Sequence, residues 1–326
     1  MPNHSPPGAR LPRFVEYPSV QTLPGPIQFT GVRMSSFFLD ADLPTLQKLC
    51  TKLIDDPSGG AVTFTPLLPY VVMGFCEFPE SYFVDYAEQG MATERELSFG
   101  IPGYYRAMKD DGSVEISLSI LMPFLFLDNP VALMTGRENY GYFKQTGTIR
   151  LPQDPGSDGF AAVVYGCPHF CLTARWGQHS LVTLTRAGPP PLAADAALEA
   201  KLGKPWADAV AAVHGRYASP APAVHPAAAS LADFLMTPKL PQIFLKQFRD
   251  IADGRNACYQ AVTQTIYTVS RISEISLETS HAFSLTALDS TPIAAALGLA
   301  PATETGIGVR ICLDMRLENG GVLWQA

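Results

Sequence analysis

The chain of 326 residues is short of charge: only 16% of it is Asp, Glu, Lys or Arg, and 23 Lys and Arg stand against 30 Asp and Glu for a formal charge of −7. It has no basic cluster, and without one the phosphates of nucleic acid or of an anionic membrane surface go unneutralised. Neither partner is expected. Long apolar runs are missing as well. The most apolar stretch, 116–134, is broken by Ser117, Ser119, Pro123, Asp128, Asn129 and Pro130, too often to span a bilayer. The first 26 residues hold seven prolines and no apolar run, a pattern unlike a secretory leader, so a cytoplasmic protein is expected. The six cysteines show no disulfide-framework spacing and are expected as reduced, buried thiols. There is no Walker lysine loop, no G-x-G-x-x-G, no H-E-x-x-H and no G-x-S-x-G. Nucleotide-binding, zinc-protease and serine-hydrolase readings lose their usual support.

What is abundant is apolar surface and proline. An apolar fraction of 47% calls for a large core or an interface between copies, and a homo-oligomer is expected. The 29 prolines cluster in a leading arm, 1–26, and again from Pro189 to Pro241. The organisation expected is a proline-rich arm followed by a single domain, 27–326, carrying a Pro/Ala-rich insertion at about 186–238. Within that insertion Ala193–Leu202 and Trp206–His214 read as helices. Ser113–Leu121 alternates polar and apolar residues as a half-buried strand does. Ala161–Tyr165, Ser180–Thr185, Gln260–Ser270, His281–Ala287 and Gly306–Leu313 are short β-branched or aromatic runs between turn residues. A helix is expected from Asp42, with Leu43, Leu46, Leu49, Leu53 and Ile54 on one face and Asp42 as its N-cap before Pro44. Two more are expected, over Pro241–Ile251 and from Ser290 to about Leu299. The fold class is α+β, dominated by antiparallel sheet with peripheral helices.

Two segments bear on chemistry. Cys167-Pro168-His169-Phe170-Cys171 would put two thiols and an imidazole on one side of a strand, the start of a zinc site. No fourth ligand is indicated and Pro168 disturbs a regular ladder, so a buried strand edge with inert cysteines is the stronger reading. The second segment, Leu125 to Gln145, reads as an apolar strand, a tight Asp128-Asn129-Pro130 turn, a second apolar strand over Val131–Thr135, and a charged loop ending in Lys144. A lysine near pKa 10.4 is neutral in only roughly one molecule in 2,500 at pH 7. Bringing that value near neutrality takes roughly 5 kcal/mol of differential destabilisation, which burial supplies and exposure does not. A neutral, positioned lysine is a nucleophile towards ketones.

The string L-D-N-P-x5-G-R-E-x2-G-Y-F-K, from Leu127 to Lys144, resembles the signature of the acetoacetate decarboxylase-like superfamily, in which similar L/V-D-N, G-R-E and G-F/Y-P-K runs end in a Schiff-base lysine. That family is itself an example of the desolvated lysine just described. The resemblance extends weakly over most of the chain. It implies a mainly antiparallel β fold, closed or cone-like, as a double-sheet barrel with peripheral helices. By position it makes Lys144 the iminium-forming lysine, Glu96 an active-site glutamate with Glu94 as the competing assignment, and Arg33 an arginine that orients a glutamate or the substrate carboxylate. Arg137 and Glu138 match the G-R-E pair and are read as supporting residues. The chain departs from the pattern twice. Gln145 stands where decarboxylating members place a second lysine, which removes a cationic neighbour. A second active-site glutamate has no clear counterpart, since Val71-Val72-Met73 falls in its place, with Glu77 and Glu80 nearby. The implied activity is that of a Schiff-base lyase decarboxylating a β-keto acid, with no metal or organic cofactor because the lysine supplies the electron sink. The alternatives are an aldolase-dehydratase or related lyase on a larger oxo-acid, and a non-catalytic barrel binding an acidic metabolite.

Overall fold

The structure, a computed structural model, describes residues 12–16, 18–19, 22–109, 111–154, 157, 159–187, 239–278, 280–305 and 308–326. The helices expected at Ala193–Leu202 and Trp206–His214 lie outside the described residues. Strands dominate the rest: β1 (Ile27–Asp40), β2 (Val62–Pro66), β3 (Tyr70–Phe83), β4 (Ala92–Met108), β5 (Val114–Leu127), β6 (Lys144–Arg150) and β7 (Gly159–Gly166). They continue with β8 (Gly177–Arg186), β9 (Lys239–Arg249), β10 (Ala257–Glu278), β11 (His281–Leu285), β12 (Ala302–Glu304), β13 (Gly308–Leu317) and β14 (Gly321–Gln325). The α-helices described are α1 (Leu43–Cys50), α2 (Pro130–Thr135) and α3 (Ile293–Leu297). No helix among the described residues is long and apolar enough to cross a membrane.

The strands form one mixed sheet of 14 strands, antiparallel except where β5 pairs with β6 and with β9. Followed from β5, the pairings run through β9, β10, β13, β1, β3 and β4, and β4 pairs again with β5. All seven of these strands send side chains into one cavity. From β5 the sheet also continues through β6, β7, β8, β11 and β12. Helix α1 begins where the Asp42 side chain accepts the Thr45 amide, and Leu46 and Ile54, fully buried, seat it and the π-helical turn Thr51–Asp55 on the sheet. Phe37, Phe64, Phe75, Phe99 and Phe126 fill the core there. Complete burial of such side chains contributes on the order of 1.5–3 kcal/mol each.

Three expectations are corrected. Pro241–Ile251 is not a helix but lies mostly in β9. Ile243, Phe244 and Leu245 are buried consecutively, because β9 is covered on both faces, and such a strand loses the alternation that would separate it from a buried helix. Val131–Thr135 is helix α2 rather than a strand. Asn129 caps it by accepting the amides of Val131 and Ala132, and Pro130 takes the first turn, where its missing N–H costs nothing. The Cys167–Cys171 segment follows β7 rather than lying on a strand. Cys167 is buried with its thiol towards the His169 carbonyl, while Cys171 is exposed. No group of three or more His, Cys, Asp or Glu among the described residues is placed to hold a metal ion.

Candidate active site

The Asp128-Asn129 pair does more than end a strand. Asp128 Oδ1 accepts the Arg95 amide at 2.8 Å, and Asn129 Nδ2 donates to the Thr93 carbonyl at 2.8 Å. These bonds grip β4 on both sides of Glu94. Because side chains alternate along a strand, Glu94 and Glu96 face one way and Arg95 the other.

Lys144 opens β6, beside Leu125 of β5. The same alternation turns its side chain inward, where only 8% of the residue is accessible, and turns Gln145 out to solvent. Gly136 lies against the lysine. A Cβ at that position would sit 2.6 Å from Lys144 Cδ and 2.8 Å from Cε, so any larger residue displaces the amine. Arg137 Nη1 donates to the Lys144 carbonyl at 2.9 Å and fixes the start of β6. Glu138 has a different neighbour. It opposes the loss of charge that burial imposes on Lys246, whose pKa is lowered.

Inside, Lys144 Nζ is 3.8 Å from Glu96 Oε2, 4.0 Å from Glu94 Oε2 and 3.4 Å from the Ala132 carbonyl. It stands 5.2 Å above the centre of the Tyr142 ring, a contact that favours a cation. Both glutamates are buried, and Glu94 Oε2 has no hydrogen-bond partner. Burial raises the pKa of Glu96 to about 7; Lys144 pulls it down and the Glu94 carboxylate pushes it up. Burial raises that of Glu94 too, against the pull of Lys144 and with a push from Asp128. Two carboxylates thus share one amine in this buried cluster.

No family model matches the chain, and no curated protein does. Solved structures do match. Acetoacetate decarboxylase from Legionella pneumophila subsp. pneumophila str. Philadelphia 1 superposes with a TM-score of 0.54 and 15% identity, over 98% of this chain and 93% of its own. A second acetoacetate decarboxylase structure gives 0.51 at 15% identity, over 92% and 90%. The chain has the acetoacetate decarboxylase fold. At that identity the likeness is one of fold.

On this acetoacetate decarboxylase-like scaffold Lys144, Glu94 and Glu96 come together, and the choice between the two glutamates dissolves because both face the amine. Arg33 is not with them. Val32 and Met34 face the inner cavity and Arg33 between them points outward, 44% exposed along its side chain, donating from Nε to Glu77 Oε2 at 2.8 Å. Its expected role beside the glutamate or the substrate is corrected accordingly. Glu77 is held from the other side by Arg95, and Glu80 is exposed, so neither replaces a missing inner glutamate. The expected effect of Gln145 is corrected as well, since a residue there faces solvent and does not neighbour the amine. The sequence reading missed the role of Gly136, the Asp128-Asn129 grip and the Tyr142 ring. An Asn followed by Pro is a helix-start signal that would have placed α2 and, with it, the carbonyl facing the amine.

Proposed function

We propose that the protein is a Schiff-base lyase that decarboxylates a β-keto acid at Lys144. The observation that carries this reading is one buried amine within 4.0 Å of two buried carboxylates. Glu96, poised near neutrality, takes a proton from the ammonium and frees Nζ to attack the keto carbon. Loss of water from the carbinolamine leaves an iminium. The C–C bond to the carboxylate then breaks, its electrons pass into the iminium, and carbon dioxide leaves an enamine. A proton from Glu96 or Glu94 returns to carbon, and water hydrolyses the resulting iminium to release the ketone and restore Lys144. Lys144 is the single cation among the residues lining the cavity around it. A substrate carboxylate there would face Glu94 with little to neutralise it, which favours its departure as neutral carbon dioxide.

Borohydride reduction in the presence of acetoacetate tests the reading. The wild-type protein should become covalently modified at Lys144 and release acetone, while Lys144→Ala should do neither. An aldol product from pyruvate and an aldehyde, with no acetone from any β-keto acid, would assign the iminium to aldolase-dehydratase chemistry instead. Absence of labelling with every oxo-acid would leave a binding protein.

A further inference from the structure

Beyond the amine, β4 continues inward for two more steps, Ser98 and Gly100, and the enclosed space follows it. Val72, Gly74 and Cys76 of β3 lie beside Gly100, Ser98 and Glu96 respectively, so the lumen runs from the carboxylate to Gly100. Four residues of strand make that depth about 13 Å. Its walls are mostly apolar, with Met34, Phe78, Met122, Val269, Leu313 and Met315 outnumbering Ser36, Ser98 and Gln242 beyond Glu96. The volume is about 110 Å³, against about 30 Å³ beside the lysine, and Tyr267 lines both spaces. A packing defect of that size in a well-filled core would be an expensive void. The lumen also holds Gln242, a residue 5% exposed whose amide oxygen is buried without a hydrogen-bond partner. Gln242 lies beside Ile120, towards the end of the lumen away from Glu96.

We infer that this lumen is the binding site for an apolar tail, and that the substrate is a medium-chain 3-oxo acid rather than acetoacetate. The inference rests on the reading of Lys144 as the nucleophile for its chemistry, but the tail site can be measured without it. With the keto carbon at Nζ and the carboxylate in the smaller space, an alkyl group on the other side of the keto carbon passes Glu96 and enters the larger one. Each methylene moved from water into such walls should raise kcat/KM about fourfold.

Decarboxylation of acetoacetate, 3-oxohexanoate and 3-oxooctanoate by the wild-type protein gives the decisive series. The expected rise is roughly two orders of magnitude from the first acid to the last. In Gly74→Val, which puts side-chain bulk into the lumen one step beyond Glu96, the preference for 3-oxooctanoate over acetoacetate should collapse towards one. Ile120→Ala, which empties the far end, should shift the optimum to a longer acid and guards against a Gly74 variant that fails to fold. Calorimetry of 2-heptanone, the ketone that 3-oxooctanoate would yield, against Lys144→Ala protein reports the tail site with no imine possible. Binding should be seen there and lost on adding Gly74→Val. A flat or falling chain-length series in a protein that decarboxylates acetoacetate would overturn the tail site alone. Failure of borohydride labelling with every acid, while 2-heptanone still binds in a Gly74-dependent way, would overturn the decarboxylase reading and leave the tail site standing. If 2-heptanone does not bind, the tail site is overturned.

Discussion

Glu77 and Glu96 lie on neighbouring strands, close to one another in register and on opposite faces. Cys76 is the residue beside Glu96, and Glu77 is beside Arg95. Outside, Glu77 is clasped by Arg33 and Arg95, and despite its partial burial their charges and hydrogen bonds hold its pKa below the usual carboxylate range. Inside, Glu96 shares one lysine with a second carboxylate, and burial takes its pKa to about 7. The residue type is the same and the strands are adjacent. What separates a carboxylate held below its usual range from one raised to about 7 is the ratio of cations to carboxylates around it, together with burial.

The comparison is broken most strongly at Glu96. Glu96→Gln should lower kcat/KM on the order of 100- to 10,000-fold and remove the inflection near pH 7 from the pH–rate profile. Its stability changes in the same window. Between the ordinary carboxylate value and about 7 the folded protein keeps a proton that the unfolded chain has released, so stability falls as pH rises through that range. Chemical denaturation from pH 4 to 8 should show this slope, of order 1–3 kcal/mol in total, in the wild type and a shallower one in the variant, where Glu94 still holds a raised pKa. A wild-type profile flat across pH 7 would sink the assignment.

Gly136→Ala tests the amine's position without replacing a charged group. A methyl 2.6 Å from Lys144 Cδ forces the side chain aside, and a displacement near 1 Å at a reacting atom is expected to cost on the order of 100-fold in rate. A cooperative melt would separate misplacement from unfolding.

Glu77→Gln sharpens the contrast from outside. It should cost about 1–3 kcal/mol of stability at neutral pH by leaving Arg33 and Arg95 less well paired. The contribution of Glu77 is present above the ordinary carboxylate range and lost as pH falls through its lowered folded value. The variant should therefore show a shallower acid limb while its pH–rate inflection stays in place. The smallest effect is expected at Gln145→Lys, where a solvent-facing substitution should change kcat/KM by no more than about twofold. A large gain there would mean that position 145 reaches the amine after all.

Much of this was legible in the chain. Period-two alternation located β5, and the short β-branched runs located β7, β8, β10, β11 and β13. Asp42 before Pro44 gave α1 its start. The run ending in Lys144 drew attention to an amine that is buried within 4.0 Å of two carboxylates. What could not be read was which way each charged residue faces. Arg33 was expected beside the glutamate because position along the chain says nothing about face until one cavity-facing neighbour is known, and alternation then decides it at once. β9 was misread because a strand covered on both sides carries no period. The pairing of Glu94 with Glu96 around one amine depends on β4 meeting β6 across β5, a contact between distant segments that local pattern does not encode.

The bonds from Asp128 and Asn129 to Arg95 and Thr93 have a mechanical implication. They splice the segment carrying the amine's neighbours to the segment carrying the acids, so the start of α2 is pinned to this stretch of β4. The Ala132 carbonyl that faces the amine is thereby tied to the strand carrying both glutamates, while Lys144 reaches them from β6.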